Sequence, residues 1–149
     1  MYTHILIATD GSELAQKGLD HGFSLARKLG SRVIILNVSE PVPAYAMGTE
    51  FGAMAPTIDY EAHRQAGREA GDRILRKAKE GADRLGIDAE TIHVELMRPA
   101  EAIVETAKER DCNLIVMASH GRRGLGRLFL GSQTIETLTH SPVPVLVVR

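Results

Sequence analysis

The fifteen residues from Ala118 to Ser132 hold four glycines (Gly121, Gly124, Gly126, Gly131) and three arginines (Arg122, Arg123, Arg127), directly after the apolar run from Leu114 to Met117. Glycine lets backbone N–H groups approach a ligand with no Cβ in the way, and a helix opening at Ser132 adds N–H donors that its own turns leave unpaired. Such an arrangement is an anion site, and the nine residues between Gly121 and Gly131 are enough to curl over a phosphate chain and deliver its tail to Ser132 and Thr134. On spacing alone a plain glycine-rich surface loop fits equally well. Guanidinium groups fork onto phosphate oxygens. Solvated surface arginines are the commoner case, so the three arginines are left outside the candidate site.

Better-known chemistries fail on particular residues. Gly126 to Ser132 has the two-glycine spacing of a Walker-type loop but Ser132 where the lysine should stand. Gly121, Gly124 and Gly126 reverse the order of the dinucleotide fingerprint and follow a late strand, which argues against a nicotinamide dehydrogenase. A response regulator needs an aspartate ending its third strand, where this chain has Met97, Arg98, Pro99 and Ala100. His120 has the chemistry of a general base, but spacing supplies neither a nucleophile nor an orienting acid. His4, His21, His63, His93 and His140 show no metal-ligand spacing, so no zinc site is expected. Cys112, beside a buried strand, is expected to pack rather than react.

The elements that must position the loop follow from periodicity. Short apolar runs at 5–8, 33–38, 114–117 and 143–148, and an alternating one at 92–97, read as strands. Helical spacing predicts helices over 12–29, 61–85, 99–110 and 132–139, with Gly30 and Gly86 as stops and Pro99 at a first turn. The order βαβαβαβαβ predicts a doubly wound five-stranded parallel α/β sheet with helices on both faces. In such sheets ligands sit beyond the carboxyl ends of the strands where strand order reverses, so the ends of strands one, two and four are the places to look. Residues 41–57, with three prolines and no period, form a loop too long for a plain connection and are expected to be mobile or pinned by a neighbouring chain.

The 149 residues suit one domain spanning 1–149. With 44% hydrophobic and 25% charged residues the chain should fold, and 18 basic against 19 acidic side chains provide no global field for nucleic acid or an anionic membrane. One cysteine makes no internal disulfide, and neither a signal peptide nor a bilayer-length apolar run is evident. A cytoplasmic protein without nucleic-acid or membrane partners is the expectation. The last strand, from Val143 to Val148, is an apolar edge that invites pairing with a second copy.

The stretch Met117, Ala118, Ser119, His120, Gly121, then nine residues to Gly131 and Ser132, followed by ProValProValLeuValVal and preceded at the amino end by HisIleLeuIleAlaThrAspGlySer, resembles the universal stress protein family from end to end. That resemblance implies a Rossmann-like fold of the adenine nucleotide alpha hydrolase type, a homodimer, and a bound adenine nucleotide: ATP, alone or with Mg2+. ATP-binding members carry Gly, two residues, Gly, nine residues, Gly and Ser or Thr; Gly121, Gly131 and Ser132 match, and Ala118 stands where the first glycine would be. The same resemblance implies Ala8, Thr9 and Asp10 beside ribose and base, Val38 against the adenine, Met117 and Ala118 under the sugar, and Gly121, Gly131, Ser132, Gln133 and Thr134 at the phosphates. Each has a plainer reading: Asp10 or Ser132 as an N-cap, Val38 and Met117 as core. At most slow hydrolysis is expected. Ala118 keeps open a non-nucleotide-binding dimeric module that works through protein partners. An adenylating enzyme ranks last, because it would want a SerGlyGly-type loop after strand one.

Overall fold

A computed structural model describes residues 1–41, 59–121 and 130–149. The expectations for the loop at 41–57 beyond Pro41, and for Arg122, Arg123, Gly124, Gly126 and Arg127, lie outside the described residues. The elements are β1 (His4–Ala8), α1 (Glu13–Leu29), β2 (Arg32–Ser39), α2 (Tyr60–Arg84), β3 (Ala89–Glu95), α3 (Pro99–Glu109), β4 (Leu114–Ala118), α4 (Ser132–His140) and β5 (Val145–Val148). All strand pairs are parallel and the order is β3-β2-β1-β4-β5, so strand order reverses between β1 and β4.

Alternation along the strands separates two apolar layers. Ile5, Ile7, Val33, Ile35, Leu114 and Val116 meet Leu19, Phe23 and Ala26 of α1 and Leu75, Ala78 and Ala82 of α2. Leu6, Ile34, Leu36, Ile115 and Met117 face the other way, onto Ile103 and Ala107 of α3. Strands buried on both faces are apolar throughout, which is why β1, β2 and β4 read as unbroken runs rather than alternating ones. Truncating one of these fully buried side chains to alanine costs about 2–5 kcal/mol by lost transfer energy and the cavity left behind. Cys112 packs in the α3 layer, where burial pushes its thiol up to about 11.

Helix ends follow local chemistry. Ser12 caps α1 by accepting from the Ala15 N–H, and Gly30, at φ 66°, ends it in the left-handed region that a side chain would strain. Asp59 caps α2 in the same way. The N-cap reading of Asp10 is therefore corrected: the cap lies two residues on, because the positive φ of Gly11 turns the chain before the helix begins. Strand three is corrected from 92–97 to Ala89–Glu95; Ala89, Glu90 and Thr91 already pair with Val33, Ile34 and Ile35, and the left-handed φ of Leu96 (54°) ends the strand. β5 begins at Val145 instead of Val143. No helix among the described residues is long and apolar enough to cross a membrane.

Candidate functional site

The carboxyl ends of β1 and β4 lie side by side at the reversal, with β2 on the other side of β1. Ala8, Val38 and Met117 sit on the α3 face, Ala8 and Val38 partly buried and Met117 buried. Thr9 is buried on the opposite face. Its N–H donates to the Leu36 carbonyl (2.9 Å) and its own carbonyl accepts from Asn37 Nδ2 (2.8 Å). Beyond it the loop is held by side chains: Gly11 N–H donates to Thr9 Oγ1 (3.3 Å) and Ser12 N–H to Asp10 Oδ1 (2.9 Å). The other Asp10 oxygen lies where a Cβ on Gly121 would stand 3.2 Å away. The first and fourth loops thus converge on one point above the sheet.

Ala118 is a strand residue, paired with Val148. Among the described non-glycine residues only Leu96 and Asp111 have positive φ, so the backbone at 118 does not require glycine. Alternation directs its methyl group to the α1 face, away from Val38 and Met117. After it, Ser119 N–H donates to the Val148 carbonyl (2.8 Å), and the Ser119 carbonyl accepts from Gly131 N–H (2.9 Å). Thr134, also buried, aims its hydroxyl at the carbonyls of Ala118 (3.2 Å) and Ser119 (3.0 Å). The return of the chain to α4 is therefore fixed against the end of β4. The His120 ring meets the Ser119 hydroxyl at 3.0 Å.

Gly131 is the N-cap of α4, which corrects the reading of Ser132 as the cap; Ser132 is the first helical residue. With φ −63° and ψ 152°, Gly131 is needed for space and not for an unusual φ: a Cβ would lie 3.3 Å from the Ser119 carbonyl oxygen and 3.5 Å from His120 Cα. No side chain caps α4, and its first turn holds no acidic residue. The other helices differ. Glu13, Glu61 and Glu101 stand in the first turns of α1, α2 and α3; Ser12 and Asp59 cap the first two. For α3, Gln133 Oε1 accepts from Ala100 N–H (2.9 Å). Gln133 therefore has its side chain committed to α3 and contributes its backbone N–H to the start of α4. Together Ser132, Gln133 and Thr134 present the three N–H groups of an uncapped first turn, carrying the positive end of the helix dipole toward the space above Ser119 and Gly121.

Two further features were not legible as site residues. Asn37 is a buried amide directly after the apolar run Val33 to Leu36, and His93 meets it from β3 at 3.0 Å. The polar letter in IleIleLeuAsnVal was the available signal for Asn37; nothing local pointed to its partner. Among the described residues no three His, Cys, Asp or Glu side chains gather in a way that could hold a metal.

A family model described as the universal stress protein family matches residues 1–149. Universal stress protein YxiE of Bacillus subtilis is 34% identical over 149 residues, covering 100% of both chains. Among solved structures, that of MJ0577, a universal stress protein of Methanocaldococcus jannaschii, superposes with a TM-score of 0.80 at 30% identity, covering 99% of this chain and 96% of that one. A universal stress protein solved in complex with cAMP superposes with a TM-score of 0.71 at 26% identity, covering 99% of this chain and 97% of that one.

Proposed function

The chain belongs to the universal stress protein family, and we propose that it is a single-domain, adenine-nucleotide-binding member that holds ATP, alone or with Mg2+, as a stress-response or regulatory module. One observation carries the reading. Among the described helices, α4 is the one whose first turn has neither a side-chain cap nor an acidic residue, and it opens beside the loop that follows the strand at the topological reversal. Unpaired N–H groups and a dipole end free of competing carboxylate favour a phosphate. Ala8, Thr9, Asp10 and Val38 would contact base and ribose, Met117 and Ala118 the sugar, and Gly121, Gly131, Ser132, Gln133 and Thr134 the phosphates. The relative in complex with cAMP supports an adenine nucleotide in this fold. No residue is assigned a catalytic role.

A homodimer through the edge strand β5 and a cytoplasmic location complete the proposal. Leu146 on β5 is 38% exposed, an apolar side chain on a strand that among the described residues pairs only with β4. The second reading, a dimeric module working through protein partners without a nucleotide, draws on Ala118 in place of the glycine of ATP-binding members. Mass spectrometry of ligand released from freshly purified protein separates the two. An adenine nucleotide in near-stoichiometric amount is expected, and protein that carries none and acquires none from an ATP pool favours the partner-binding module.

A further inference from the structure

Asn37, 4% exposed, stands in β2 between Leu36 and Val38. A buried amide is costly unless its donors and acceptor are used. Its two hydrogen bonds define which way it faces. The Thr9 carbonyl can only accept, so the group 2.8 Å from it is the Nδ2 donor, and Oδ1 is turned to His93. Oδ1 in turn can only accept, so in the neutral form of the His93 ring the proton sits on Nδ1. Nε2 then carries the lone pair, and the Ser39 hydroxyl 3.3 Å away donates to it. The result is a directed relay: Ser39 to His93, His93 to Asn37, Asn37 to the Thr9 carbonyl.

The fold builds this row deliberately into one face. Asn37 and Ser39 are two apart on β2 and so project to the same side, and His93 is the register partner of Asn37 on β3. α2 passes over them with glycine at both crossings. A Cβ on Gly71 would lie 2.2 Å from His93 Nδ1 and 2.8 Å from Asn37 Oδ1, and one on Gly67 would lie 3.0 Å from Ser39 Cβ. On the same helix, Arg64 before the glycines and Arg68 between them pair with Glu95 at 2.8 and 2.6 Å, fixing the helix over the end of β3. Thr9, where the relay ends, is the residue at which β1 leaves the sheet. With its N–H on Leu36 and its carbonyl on Asn37, it sets the direction of Asp10, whose carboxylate reaches Gly121.

We infer that His93 is a positioning residue for the nucleotide site: through Asn37 it fixes the Thr9 carbonyl and so the course of the β1–α1 loop that brings Asp10 to Gly121. The role in binding rests on the nucleotide reading of the site; the role in holding the loop does not. Removing the ring donor leaves Asn37 Oδ1 buried without a partner and frees the amide to turn. The backbone at Thr9 then loses one of its two restraints.

The test compares wild type, His93→Leu and His93→Asn, the last placing an amide donor near the Nδ1 position. Amide hydrogen exchange is followed at Gly11 and Ser12 in ligand-free protein, ATP affinity is measured by calorimetry, and the ring nitrogen resonances of wild-type His93 report its tautomer. The leucine variant is expected to exchange about tenfold faster at Gly11 and Ser12 and to bind ATP about tenfold more weakly, the effect of one buried hydrogen bond. Asparagine should restore both to within about threefold on the same basis. The wild-type tautomer should be protonated at Nδ1, a result that holds the test open even if the leucine variant does not fold. Unchanged exchange at Gly11 and Ser12, no rescue by asparagine, or an Nε2-protonated ring would overturn the positioning role. If wild type binds no ATP, the nucleotide reading fails while exchange and tautomer still decide the loop. Binding by wild type that is equally tight in the leucine variant overturns the link between the relay and the site.

Discussion

Valine at position 131 should abolish ATP binding while the sheet stays folded. Gly131 lies between two demands, since its amide holds the Ser119 carbonyl at 2.9 Å and the missing Cβ leaves 3.3 Å to that same oxygen. A branched side chain must push the start of α4 away from Ser119 and His120. The N–H groups of Ser132, Gln133 and Thr134 then no longer point where a phosphate following β4 would lie. Hydrogen bonds to a charged group contribute about 1.5–3 kcal/mol each, so losing two weakens binding by roughly a hundredfold or more. The strain on the protein itself is about 1–3 kcal/mol, the cost of forcing a larger side chain into a packed position. Calorimetry with ATP and circular dichroism as the folding control read the two effects separately. Alanine at Gly124 should matter little, and Ser132→Ala should cost about 1 kcal/mol or more if its partner oxygen is charged. Ala118→Gly should hold or improve affinity. Equal affinities across this set would mean that the loop does not cradle a nucleotide.

The second large effect is on assembly. The carbonyls of Pro144 and Val148 accept from Ile115 and Ser119, so the even-numbered backbone groups of β5 face β4 and the odd-numbered ones face outward. Proline at Leu146 would therefore strike the ladder inside the subunit. Proline at Val147 removes an outward N–H and is tolerated on an edge strand. If two copies pair through β5, Val147→Pro should convert a dimer to a monomer in light scattering while the far-ultraviolet spectrum is kept. A dimer mass unchanged by this substitution, or a wild-type monomer at micromolar concentration, would contradict pairing through this edge.

Most of what positions the site could be read from periodicity. Apolar runs without alternation gave β1, β2 and β4 because both of their faces are covered, and Gly30 and Gly86 marked helix ends because both take left-handed φ. The alternation of strands and helices then pointed to the ends of β1, β2 and β4, and that Asp10 and Gly121 meet there emerges only once the chain is packed. What escaped depends on contacts between distant residues. β3 is set by pairing with β2 and not by its own pattern, so its bounds shifted by up to three residues. Asp10 and Ser12 are both suitable caps by type, and the choice fell to the turn at Gly11. Gln133 and Thr134 bond to Ala100, Ala118 and Ser119 through their side chains, a commitment visible only once α3, α4 and β4 are packed together. The relay from Ser39 to Thr9 joins β2, β3 and the end of β1 beneath a glycine-lined helix face, and no local signal connects His93 with Asn37.

The central claim is that the uncapped start of α4 and the ends of β1, β2 and β4 form an adenine-nucleotide site. Its most direct test is a calorimetric titration of ATP into wild-type protein freed of bound ligand, with GTP as the comparison. Saturable binding of one ATP per chain, with GTP much weaker, is the expected result. Absence of measurable heat and of any competition by ATP for a fluorescent adenine nucleotide would contradict it.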